Sequence, residues 1–231
     1  MARVYSSVMG GKAAKVDAKE LKMELGGEID MYYTNTLPKK HEEILNRDKG
    51  FFKGFDLYDY KDVPYPDDFS QEVKAEIFYL NSLPLDLEFV YEFDNMKQVF
   101  FNYLRKHNLI ISNAKLDELS DLLYNMTPVI MQLKYYYNRP RPSQVAVKYA
   151  LDLEYCELES AETPSYPSGH SAQGIFMGHF LANIFPEHAS ALIEIGSEVG
   201  LSRLVGRVHF PTDDILGKYL GYSMYKYYYE S

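Results

Sequence analysis

The sequence predicts an all-α protein, a single-domain helical bundle preceded by an irregular N-terminal arm. Two observations carry this expectation. From about Pro66 onward, apolar residues recur at intervals of three and four in one segment after another, and no stretch reads as a convincing strand. The segments are also punctuated as helices are, with Ser, Asp or Asn in front and Pro behind. At 231 residues the chain is long enough to bury one sizeable core.

The elements follow in order. Residues 1–66 mix the pairs Gly10-Gly11 and Gly26-Gly27 with Lys, Asp and the aromatics Phe51, Phe52, Phe55, Tyr58 and Tyr60. They read as a short helical attempt and then loop, an arm packed on the core or on a neighbouring subunit, with a substrate lid as the other reading. Residues 67–231 form the helical domain. A first helix, capped by Asp68 or Ser70, carries Val73, Ile77 and Leu80 and ends near Pro84. A second, from about Asp86 to His107, aligns Phe89, Val90, Phe93, Met96, Phe100 and Leu104 on one stripe. A third, capped at Asn113, keeps its period from Leu119 to Tyr137 with a kink expected at Pro128. A fourth opens at Ser168 and closes at Pro186, and two more occupy about 188–205 and 212–229.

Composition excludes several function classes. A formal net charge of −9 argues against broad affinity for nucleic acid or an anionic membrane, so an anionic substrate must meet a local basic pocket. The lone Cys156 excludes an intrachain disulfide and reads as a buried filler. Gly, Lys and Asp interrupt the N-terminus where a secretory signal needs an apolar core, and no later stretch approaches the ~20 apolar residues of a membrane span. The expected setting is therefore cytoplasmic or otherwise soluble. The abundant tyrosines and the long arm leave a homo-oligomer open.

Three clusters carry chemistry. In the first, Lys134 precedes Arg141-Pro142, with Arg139 in a second Arg-Pro pair; guanidinium groups beside an ammonium suit a phosphoryl dianion. In the second, Ser168-Gly169-His170 stands where a helix begins, so unpaired backbone N–H groups and their dipoles favour an anion. In the third, Ser202-Arg203 is followed by His209 and Asp213, four apart at the start of the last helix, a spacing at which the carboxylate can fix the imidazole tautomer. Asp214 is a competing partner for that imidazole. Arg139 is placed at the rim, Arg207 in an ion pair, and His179 at the edge of the core; Lys148 has no assigned role.

The clusters resemble, at eleven positions within residues 134–213, the signature of the type 2 phosphatidic acid phosphatase superfamily. That superfamily includes class A acid phosphatases, lipid phosphate phosphatases and vanadium-dependent haloperoxidases. The resemblance implies a helical core with its active site at helix ends and a two-step mechanism: His209 attacks phosphorus, oriented by Asp213, and His170 protonates the leaving oxygen and then activates water. Lys134, Arg141, Ser168, Gly169 and Arg203 would bind the phosphoryl oxygens, with no metal and no cofactor required. Residues 1–66 have no counterpart in the resemblance.

The favoured activity is a soluble phosphomonoesterase acting on a small phosphorylated substrate, with vanadate as an inhibitor. The alternatives are a lipid-phosphate or diphosphate phosphatase, a haloperoxidase in which the same cradle holds vanadate as cofactor on His209, and a non-catalytic phosphate-binding module. The motifs grip only the phosphoryl group, so they leave the alcohol portion of the substrate unspecified.

Overall fold

The computed structural model describes the backbone of residues 13–16 and the whole of residues 31–230. The expected helical attempt around the two N-terminal glycine pairs lies outside those residues. After a short strand β1 (Ala13–Val16) come α1 (Lys39–Leu45), a 3-10 turn over Gly50–Gly54 and a single helical turn at Tyr58–Lys61. Then follow α2 (Gln71–Ser82), α3 (Leu87–Asp94), α4 (Met96–Lys106), α5 (Asn113–Tyr137), α6 (Pro142–Lys148), β2 (Leu153–Cys156), α7 (Gly169–Ile184), α8 (Ala189–Val205) and α9 (Pro211–Glu230). The fold is all-α, and the two strands form only a four-residue antiparallel strip, pairing Ala13 with Cys156 and Val16 with Leu153. This strip departs from the expectation of no strand; four residues are too few to display a period of two.

The long helices begin where their caps are. Ser70 Oγ accepts the Val73 N–H at the start of α2, and Ser112 Oγ, one residue before the expected Asn113, accepts the Lys115 N–H of α5. Helix α5 runs unbroken through Pro128. The largest departure is the segment 86–107, expected as one helix and found as two. Asn95 breaks it at φ −90°, ψ 68°, where its side chain accepts the Gln98 N–H and so caps α4. At that break Asp94 Oδ1 pairs with Arg203 Nη1 at 2.6 Å.

Helix α7 is the centre of the molecule. It is apolar nearly all round and buried nearly all round, enclosed by α8, α9 and α5. Glycines let the neighbouring backbones touch: a Cβ on Gly196 of α8 would lie 2.5 Å from Gly174 O, and one on Gly217 of α9 would lie 2.5 Å from Ser168 O. Phe176, Phe180, Leu192, Val199, Leu216 and Leu220 fill the space between these helices and α5. Of the aromatic run before residue 66, Phe52 and Tyr60 are buried, and Phe52 lies 6.0 Å from the Phe176 ring, centroid to centroid. That run is therefore packed on the core.

Cys156 is buried, and burial pushes its thiol up to about 11, as expected of an inert filler. Helix contact at the glycines leaves no slack, so Gly196→Ala is expected to destabilise the protein by about 1–3 kcal/mol, read from the midpoint of urea unfolding at unchanged slope.

Candidate active site

The geometry begins with His209, which precedes α9 and is buried. Its Nδ1 lies 3.0 Å from Asp213 Oδ2 and its Nε2 lies 3.0 Å from Arg141 Nη1. A guanidinium only donates, so Nε2 is the acceptor and Nδ1 carries the hydrogen that Asp213 receives. Burial, reinforced by Arg141, holds the imidazole well below the usual histidine range. The result is a neutral ring with its lone pair turned into a basic pocket.

Asp213 is the anchor of that ring. Its Oδ1 takes Arg139 Nη1 at 2.6 Å, and its Oδ2 accepts from Ser165 Oγ, from His209 Nδ1 and, at 2.9 Å, from the Phe210 N–H. Burial alone would raise this carboxyl, but Arg139 and the His209 hydrogen bond overcome it and keep Asp213 ionised well below the usual carboxylate range. Asp214 turns away, accepting from Ser171 Oγ and pairing with Lys218, so the competition for His209 is settled in favour of Asp213.

Arg139 requires a correction. Spacing placed it at the rim, yet it is fully buried and its guanidinium is spent on structure. Besides Asp213 it donates to Thr212 Oγ1 at 2.7 Å and to Glu76 Oε2 at 2.9 Å, and its guanidinium carbon sits 4.0 Å from the Phe210 ring centroid. Glu76 in turn accepts the Thr212 N–H at 2.8 Å. Asp68 Oδ1 faces Arg139 Nε at 3.9 Å, and burial raises that carboxyl to about 6.

On the opposite side, His170 occupies the first turn of α7, with Nε2 3.3 Å from Asp94 O and 3.4 Å from Asp94 Oδ1. Arg203 Nη1 holds the same Oδ1 at 2.6 Å, and Ser160 Oγ donates to it at 2.7 Å. Asp94 is thus a bridge between His170 and Arg203, and the reading of the sequence missed it. The available signal was the Asp94-Asn95 pair, two residues that favour caps, inside an otherwise helical run. Burial pulls His170 below the usual histidine range, and the Asp94 hydrogen bond opposes that fall.

The cations expected to cradle a phosphate stand beside the two histidines, Lys134 and Arg141 near His209 and Arg203 near His170. Lys134 Nζ donates to Pro164 O at 2.6 Å, and Arg141 donates to Val208 O at 2.6 Å and to Thr163 O at 2.8 Å. Both cations bond to backbone carbonyls, and the Asp213 carboxylate favours the charged form of each from a distance. Burial, and then Arg141, brings Lys134 well below its usual range, and burial brings Arg141 down to about 10. Ser168 Oγ caps Ser171 N–H, while the Ser168 N–H is fixed by Asp213 O at 2.9 Å. A Cβ on Gly169 would lie 3.8 Å from Lys134 Cε, which puts the start of α7 beside the lysine stem.

All eight residues marked by the sequence are therefore gathered into one cluster. The turn bearing both arginines is tied down by the segment before α1: Tyr33 N–H donates to Asn138 O at 2.9 Å, and Gln144 Nε2 donates to Tyr33 O at 3.1 Å. The other predicted placements divide. His179 lies at the core edge between the Tyr222 and Tyr225 rings, 4.9 and 5.0 Å away. Arg207, expected in an ion pair, instead donates to Leu83 O and Glu154 O, each at 3.0 Å.

Residues 119–231 match the PAP2 superfamily. Two relatives, each named non-specific acid phosphatase, come from Salmonella typhimurium, 35% identical over 88 residues, and Salmonella typhi, 34% identical over 92 residues. Each alignment covers 38% of this chain and 35% of the relative's length, so the chain spans about a third of the proteins it matches. Tyr33, Glu76 and Asp94 all lie outside the matched residues. No described helix is long and apolar enough to cross a membrane, and among the described residues no group of three or more His, Cys, Asp or Glu is arranged to hold a metal ion.

Two outcomes follow from this geometry. Arg139→Ala leaves Asp213 and Glu76 buried without their cation and is expected to cost about 3–5 kcal/mol in denaturant unfolding. The buried cations Lys134, Arg141 and Arg203 should bind inorganic phosphate and stabilise the fold by about 2.7 kcal/mol at a hundredfold excess over Kd, read as a higher melting temperature. Arg141→Ala is expected to abolish that gain in the same thermal scan.

Proposed function

We propose that the protein is a phosphatase that hydrolyses small phosphate monoesters through a phosphohistidine on His209, without a metal ion. The observation that carries this reading is the polarised imidazole: Nδ1–H is committed to ionised Asp213, and the Nε2 lone pair points at Arg141, with Lys134 acting on the same ring. The name of the two relatives supports the same reaction class.

In the first step His209 Nε2 gives its lone pair to phosphorus, the P–O ester bond breaks, and His170 passes its proton to the departing oxygen. In the second, His170 takes a proton from water, the water oxygen attacks phosphorus, and the P–N bond breaks to return neutral His209. Lys134, Arg141 and Arg203, with the N–H of Gly169, neutralise the equatorial oxygens and supply the charge stabilisation otherwise given by a metal. Ser168 holds the N-terminus of α7 in place through its cap. Asp94 acts as a positioning residue, aligning His170 and Arg203.

The test is hydrolysis of p-nitrophenyl phosphate in EDTA. Turnover is expected to persist, to fall about a thousandfold or more in His209→Ala, and to be blocked by vanadate. Dependence on added metal, or bromide oxidation by vanadate-loaded protein in place of hydrolysis, would overturn the reading.

The pH profile offers a second check. His170 must be protonated to act as the acid, and ionised Asp94 raises its pKa against the pull of burial. Removing that charge lowers the His170 pKa, so Asp94→Asn should move the alkaline limb of kcat/KM to lower pH. An unmoved limb would show that Asp94 has no hold on the acid.

A further inference from the structure

Consecutive residues in the loop before α7 hold both of the cations beside His209. Thr163 O accepts from Arg141 Nε at 2.8 Å, and Pro164 O accepts from Lys134 Nζ at 2.6 Å, with Ser165 O a longer acceptor for the same Nζ at 3.4 Å. Pro164 has no N–H, so it adds no donor to a strip that must offer acceptors to two buried cations. Ser165 is fixed at the far end, its N–H given to Arg139 O at 2.9 Å and its hydroxyl to Asp213.

The acceptors of that strip are backbone carbonyls, which any sequence could supply, except at Thr163. Its Oγ1 accepts from Arg141 Nη2 at 3.2 Å while its carbonyl takes Nε. One residue therefore meets the whole side edge of the guanidinium, where those two nitrogens present their hydrogens in parallel. Arg141 is otherwise anchored through Nη1, to Val208 O at 2.6 Å and His209 Nε2 at 3.0 Å. Among the described residues Nη2 has no partner but Thr163, so loss of Oγ1 would leave a donor of a buried cation unmet and release that corner of the guanidinium.

The clamp also decides which edge of Arg141 is left. With the side edge occupied, the end edge between Nη1 and Nη2 is the part free to meet a phosphoryl oxygen. That edge includes Nη1, the nitrogen now directed at the His209 Nε2 lone pair. A phosphoryl oxygen that draws Nη1 away would uncover the lone pair as it is itself gripped. Only hydrogen bonds are exchanged in that movement.

We propose that Thr163 is a positioning residue that acts through Arg141: it holds the side edge of the guanidinium, so that the end edge grips the phosphoryl group and yields the His209 lone pair to phosphorus. The proposal rests on the phosphatase reading for the role of Arg141, so its test lets the two fail separately. Binding of inorganic phosphate is measured by calorimetry on the full chain, and kcat and KM are measured for p-nitrophenyl phosphate. The variants are Thr163→Val, which keeps the shape and the backbone carbonyl but removes the acceptor, and Thr163→Ser, which keeps the acceptor and removes a methyl. Thr163→Ala, which cannot overpack, is the second acceptor-free variant should valine not fold.

Thr163→Val is expected to weaken phosphate about tenfold, and Thr163→Ser to restore it. The fall in kcat/KM should exceed the fall in phosphate affinity, with kcat itself reduced, because the same edge uncovers the nucleophile. Unchanged phosphate affinity in Thr163→Val, or equal loss in the valine and serine variants, would overturn the clamp even if hydrolysis is intact. A fall in kcat/KM no larger than that in affinity would overturn its link to His209. Loss of phosphate confined to the acceptor-free variants, in a protein that hydrolyses nothing, would support the clamp and overturn the phosphatase reading instead; wild type that binds no phosphate would overturn both.

Discussion

The carboxylate of Asp213 is the constraint around which the rest of the site is assembled. It is fully buried, and an ion in that position survives only if its oxygens are saturated with donors. Arg139, Ser165, His209 and the Phe210 backbone meet that demand, from the α5–α6 turn, the loop before α7 and the start of α9. The backbone carbonyl of the same residue fixes the Ser168 N–H, so the first turn of α7 is registered against the same point. His209, Arg139 and the start of α7 are thereby held by one residue.

The two histidines are treated in parallel ways. Each faces a carboxylate, and each carboxylate is held by a buried arginine: His209 by Asp213 with Arg139, His170 by Asp94 with Arg203. The surroundings then separate their roles. His209 is sealed among cations and stays neutral, with a lone pair to give; His170 stands at the solvent edge, where a proton can be exchanged. Lys134 and Arg141 lie close enough to lower one another's charge, with the Asp213 carboxylate as partial relief, and such a pair of buried cations favours an anion.

The long helices are legible in the sequence because α5, α7, α8 and α9 are long enough for their apolar period to be unmistakable and are closed by caps or prolines. The break at Asn95 is less legible: its apolar stripe continues in phase from Phe89 through Leu104, and the cap-favouring pair Asp94-Asn95 is the local sign of where the chain turns. The same limit applies to the site. Residues 134–213 contain the chemistry at readable spacings, and folding brings those residues together. The spacing from Lys134 selects Arg141, which meets His209, but that Arg139 holds Asp213 depends on Glu76, Thr212 and Phe210, whose proximity no local spacing reveals. Asp94 is hidden for the same reason, being joined to His170 across 76 positions of chain.

The ion pairs of Arg139 and Arg203 also bear on how this architecture can change over generations. Each arginine belongs to the recognisable PAP2 stretch, yet each has a counter-charge, Glu76 or Asp94, supplied from the half of the chain that precedes it. The stretch that carries the signature is therefore not a self-sufficient module. Transplanted alone, it would carry two buried guanidinium groups stripped of part of their electrostatic support. The preceding helices are free to drift in length and surface, but the points at which they deliver those two carboxylates must move in concert with the arginines they serve.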